Sequence, residues 1–162
     1  MAIQASDSVP GSQSVHERFI EFAKSDFAFL ERDFGFIAGP AGDSWDAISF
    51  VKIGLSIEVS WYKGEVDVLF RVLLENDIFR PYISRSYILG EVVRQIDPNA
   101  LDKCPALPEW ALSAEDAHQF LIYYAMLMQK HCLSILQGDF SILEPIAIKR
   151  RKLGEQQWSN RR

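Results

Sequence analysis

Few side chains in this chain are spaced for catalysis. Only three histidines, His16, His118 and His131, stand among 162 residues. His118 and His131 fall on what reads as one helix, nearly four turns apart, too distant to share a metal ion. His131 and Cys132 are neighbours, about 100° apart around a helix, a poor ligand pair. His16 falls in the first turn of a leading helix, facing solvent. The two cysteines, Cys104 and Cys132, belong to no metal or redox motif, and both read as structural thiols. The chain has no Gly-rich phosphate loop, no His-Glu-x-x-His and no Gly-x-Ser-x-Gly. No catalytic residue, cofactor or metal is therefore expected, and the chain reads as non-enzymatic.

Carboxylates offer a different chemistry, electrostatic recognition. The residues expected to contact a partner are Asp43, Glu58, Glu65, Asp67 and Arg71. Asp43 lies with Trp45 beside Gly39-Pro40-Ala41-Gly42, a composition that reads as a loop. The other four belong to a hairpin. Leu55, Ile57, Val59 and Trp61 alternate with polar residues up to Lys63-Gly64, and Val66, Val68, Phe70 and Val72 alternate beyond it. A two-residue turn at Lys63-Gly64 pairs Trp61 with Val66, Val59 with Val68, Ile57 with Phe70 and Leu55 with Val72. All eight apolar side chains then share one face, and a one-residue slip would turn half of them to water. The reverse face sets Ser60 opposite Asp67 and Glu58 opposite Leu69. It leaves Arg71 diagonal to Glu58, within reach of a cross-strand ion pair.

Charge is unevenly shared. Residues 149–162 hold six basic residues against Glu155, so +5, which leaves −10 on the rest of a chain whose total is −5. An acidic body repels nucleic acid over most of its surface and attracts a basic partner. Apolar residues make up 48% and charged residues 24%, the proportions of an ordinary globular domain with a real core. No apolar run approaches the roughly 20 residues of a membrane helix, so no membrane partner is expected. Residues 1–13 carry neither the charged start nor the apolar run of a signal peptide, which points to the cytoplasm.

The elements that position these groups follow from periodicity. Residues 1–13 read as a disordered tail, 14–148 as one α+β domain and 149–162 as a solvated basic tail. Ser14 with Glu17 forms a capping box opening a helix that ends near Arg32 or Asp33, with Gly35 as its left-handed stop. Asp46–Ile53 reads as a strand before the hairpin. Glu75-Asn76-Asp77 reads as a turn, residues 83–96 as a helix and Asp97–Pro108 as a loop packed on the body. Ser113 with Asp116 opens a last helix that Gly138 stops, about 24 residues and roughly 36 Å long. Its main apolar stripe includes Ala117, Leu121 and Met128. A second one, Ile122, Met126 and Leu133, is expected to be covered by the other helices, with a homodimer through this helix as the alternative. The expected fold is thus α+β, an antiparallel meander of three strands or slightly more packed on helices, with a long C-terminal helix.

Three local patterns occur together in this order of elements. They are Phe29-Leu30-Glu31-Arg32-Asp33-Phe34-Gly35-Phe36, the strand Ile57-Glu58-Val59-Ser60-Trp61 with its hairpin, and Ile135-Leu136-Gln137-Gly138-Asp139-Phe140-Ser141. The combination resembles a group of small, mostly uncharacterised bacterial proteins, some of which look like immunity proteins of polymorphic toxin systems. It spans residues 16–143. The resemblance implies an inhibitor whose acidic surface neutralises a basic toxin, and it transfers no binding motif residue by residue. Two other functions stay open. One is a small-molecule binder or enzyme with a pocket near His131, Tyr124 and Trp45. The other is a nucleic-acid accessory protein acting through Lys149-Arg150-Arg151-Lys152, a use made less expected by the absence of a folded nucleic-acid module beside it.

Overall fold

A computed structural model describes residues 14–41, 46–72 and 85–159, apart from the side chains at 85, 154, 155 and 157–159. Asp43, Trp45, the Glu75-Asn76-Asp77 turn and both terminal tails up to residue 13 and from residue 160 lie outside it.

Alternation of apolar and polar residues builds one antiparallel sheet in sequence order. Its strands are β1 (Ile37–Pro40), β2 (Ala47–Lys52), β3 (Leu55–Tyr62), β4 (Glu65–Val72) and β5 (Arg85–Ile88). The hairpin has the register its pattern demands, from Leu55 opposite Val72 to Trp61 opposite Val66. Both turn residues have positive φ, 51° at Lys63 and 85° at Gly64, the geometry whose twist matches the flanking strands.

The expected three-strand core gains a strand at each edge. Gly39 and Pro40, read as loop, belong to β1. Proline is tolerated there because an edge strand has N–H groups that pair with nothing in the sheet. Residues 85–88, read as the start of a helix, pair with β4 instead, and α3 begins only at Leu89 and ends at Ile96. Extended backbone lets the Tyr87 ring join the core face beside Phe70.

The helices depart from expectation by breaking. The capping box of Ser14 and Glu17 opens α1 (Val15–Asp26), but Phe27 interrupts the helix and α2 (Ala28–Phe34) follows, stopped by Gly35 at φ 70°. A matching box of Ser113 and Asp116 opens α4 (Ala114–His131). The long last helix is interrupted at Cys132, beyond which α5 (Leu133–Leu136) adds one turn. No proline or glycine sits at either break. Tertiary contacts hold these places: Phe27 and Cys132 are wholly buried, and Lys52 of β2 donates to the Leu136 carbonyl. Gly138 then closes a Schellman motif, its N–H bonded to the Ile135 carbonyl and that of Asp139 to Ser134. The segment read as a solvated basic tail lies largely in a further helix, α6 (Glu144–Ser159), entered through a 3-10 turn at Ser141–Leu143.

One apolar cluster joins the helices to a single face of the sheet. Phe19 and Phe27 of α1 and its cap reach Trp61 and Phe50, with ring centroids 5.6 Å and 6.1 Å apart. Each fully buried phenylalanine contributes about 1.5–3 kcal/mol of transfer free energy. The second stripe of α4 is not covered. Although α1 and α3 both pack on α4, Ile122 and Met126 remain 53% and 51% exposed and Leu133 is exposed beyond them. α1 approaches one flank, where Phe22 stacks on His118 and Arg18 pairs with Glu115, and the stripe is left to solvent.

Candidate protein-binding surface

Strand register decides which side chains the outer face of the sheet presents. Across its middle run Ser49, Glu58 and Leu69, with Ile88 of β5 at one end. The next row holds Ile37, Val51, Ser56, Arg71 and Ser86. Toward the hairpin turn lie Ser60 with Asp67 and Tyr62 with Glu65. Of the helices, α6 reaches this face at its β5 edge, where Arg150 donates to the Ser86 carbonyl.

Chemically the face has two ends. At the β1–β2 corner, Ile37 and Ile53 are 74% and 91% exposed, and with Val51 they line an open cavity of about 750 Å³ with Gly35 and Pro40. Burying such side chains under a partner removes apolar surface from water at about 25 cal/mol per Å². At the hairpin end, Glu65 and Asp67 are exposed and carry no ion pair among the described residues. Between them the expected diagonal pair exists: Arg71 Nη2 lies 2.8 Å from Glu58 Oε2. Half-exposed as it is, that pair contributes only about 0–1 kcal/mol. Of the five residues expected to contact a partner, the structure brings Glu58, Glu65, Asp67 and Arg71 onto one face, and Asp43 lies outside the described residues.

Each edge strand of the sheet has a backbone group engaged by a helix side chain. At β1 the Ala38 N–H donates to Glu31 Oε1 at 3.2 Å, and Pro40 has no N–H to offer. At β5 the Ser86 carbonyl accepts from Arg150 Nη1 at 2.6 Å, and the same guanidinium pairs with Glu91 and lies over the Tyr87 ring. Occupied edges of this kind discourage pairing with another chain. Arg150, one of the basic cluster expected to be free, is thereby committed to the fold.

Two pairs of titratable groups escaped the sequence. His16 is not simply solvated: its Nδ1 meets Asp46 Oδ1, close to the Trp61 ring. His118 Nε2 lies 3.1 Å from Asp26 Oδ2, and its ring stacks on Phe22 at 4.0 Å and 1°. Burial raises the Asp26 carboxyl above the usual carboxylate range, and the contact with His118 opposes that rise. Each pair joins residues far apart in sequence, so no local spacing signals it. Among the described residues no ion pair or hydrogen bond adds a third group that would make a nucleophile, base and orienter set of either pair. No group of three His, Cys, Asp or Glu converges among the described residues. Cavities of about 640 Å³ between α1 and β1 and about 470 Å³ beside Asp26 are lined by neither His131 nor Tyr124. Among the described residues no helix is long and apolar enough to cross a membrane. Compared with known proteins, the chain matches no family model, no curated protein and no solved structure.

Proposed function

We propose that this chain is a non-enzymatic protein-binding module that meets a basic partner across the outer face of its sheet, as an immunity-type inhibitor would meet a toxin. The observation that carries this is the composition of that face, an apolar corner at Ile37, Val51 and Ile53 joined through serines to the carboxylates of Glu58, Glu65 and Asp67. Apolar anchors bounded by charge are what a recognition surface needs. Glu65 and Asp67 steer a cationic partner into encounter, and the corner then supplies contact area. Docking is face to face rather than by strand addition, supported by the side-chain bonds to backbone on each edge strand.

The experiment is capture of the partner from the native host by the full chain, followed by Glu65→Lys with Asp67→Lys. The double reversal is expected to slow association and to remove its salt dependence. Substitution of Ile37→Ser with Val51→Ser is expected to speed dissociation. A partner bound with unchanged rates by both variants would rule this face out.

A further inference from the structure

We propose that Cys104 is a site of reversible oxidation by a peroxide, its sulfenic acid held by the hydroxyl of Tyr123. Two observations meet there. Cys104 is an exposed free thiol. Tyr123 is only 5% exposed, and its hydroxyl, shut off from solvent, has no hydrogen-bond partner. A buried hydroxyl left in that state destabilises the fold until an acceptor is supplied.

The fold aims that hydroxyl at the thiol. The Cys104 N–H closes a turn on the Leu101 carbonyl at 3.2 Å, and Leu101 packs on the core cluster. This sets the Cys104 thiol against the Tyr123 phenol of α4. Burial first, and Cys104 next, push that phenol up to about 12, so at neutral pH it keeps its proton and remains a donor. Thiol sulfur is a weak acceptor, which leaves the donor unsatisfied. An oxygen added to Sγ supplies the missing acceptor.

The chemistry balances with the peroxide as oxidant. The Cys104 thiolate attacks one peroxide oxygen, an S–O bond forms and the O–O bond breaks. With hydrogen peroxide the leaving hydroxide takes up the thiol's proton as water. Sulfur loses an electron pair and the peroxide gains it. No second thiol of the chain consumes the product, because Cys132 is wholly buried and its thiol is pushed up to about 12. The Tyr123 hydrogen bond therefore preserves the sulfenic acid until an outside thiol attacks its sulfur and releases water.

The test is hydrogen peroxide on the full chain, trapping by dimedone and peptide mapping. Dimedone labels a sulfenic acid and not the sulfoxide of half-exposed Met126. Cys104 is expected to carry the label and to lose it when dithiothreitol is added first, and Cys104→Ser is expected to carry none. Tyr123→Phe removes only an unsatisfied hydroxyl and is expected to keep the far-ultraviolet spectrum. Its sulfenic acid is expected to pass on to sulfinic acid about fivefold faster, the worth of one hydrogen bond. Oxidation is expected to raise the melting midpoint of the native chain and to leave that of Tyr123→Phe unmoved, a difference that a tyrosine serving only to pack would not produce. An unlabelled Cys104, a sulfenic acid equally long-lived in Tyr123→Phe, or a native midpoint that oxidation lowers or leaves in place would each overturn the proposal.

Discussion

Burial divides residues of the same type into different chemistries. Cys132 is fully buried, and burial pushes its thiol up to about 12, so it holds its proton and reacts with nothing at neutral pH. Cys104 is exposed. Titration with a thiol reagent is expected to find one reactive cysteine in the native protein and two after denaturation. Asp26 carries a second prediction. Its folded-state pKa is raised, so its burial favours the fold below the ordinary carboxylate range and disfavours it once pH rises above the folded value. Relative to the native chain, Asp26→Asn is therefore expected to gain stability as pH rises from acid to neutral. Denaturant unfolding measured across that range checks it. The burial behind this and the His118–Asp26 contact that opposes it are illegible in the sequence, because both depend on α1 lying beside α4.

Elements are set by short signals where the chain is local and by neighbours where it is not. The hairpin was legible because alternation and a two-residue turn specify the same register. Gly64 does more than turn. Its N-terminal neighbour and it both have positive φ, and its carbonyl accepts from the Ala111 N–H at 2.8 Å. A Cβ there would lie 3.4 Å from Trp110, on top of backbone strain at φ 85°. Gly64→Ala is expected to cost about 1–2 kcal/mol, read as a lower denaturant midpoint with an unchanged slope. Both helix-opening capping boxes were legible for the same local reason, since donor and acceptor are three residues apart. Strands β1 and β5 were not. Pro40 argues against a strand and residues 85–88 continue into a helix, and only a ladder with β2 or β4 settles their backbone.

At the scale of the whole molecule, a single apolar cluster draws on α1, α2, α3, α4, α5 and the strands of the sheet. Helix and sheet are therefore expected to melt together, with far-ultraviolet circular dichroism and tryptophan fluorescence tracing one coincident transition. Separate transitions would mean that the helices hold without the sheet. The carboxylates of the outer face owe their position to this arrangement: alternation put Glu58, Glu65 and Asp67 on one side of the hairpin, and helix packing on the other side left them outward. By itself the sequence determined the hairpin register, the helix caps, the acidic body and the two apolar stripes of α4, because each depends on residues within a few positions of one another. Only the tertiary structure decided which apolar stripe would be covered, that basic Arg150 would close a sheet edge, and that His118 would meet Asp26. Local pattern says which side of an element avoids water, but what lies against that side is fixed by contacts between segments far apart along the chain.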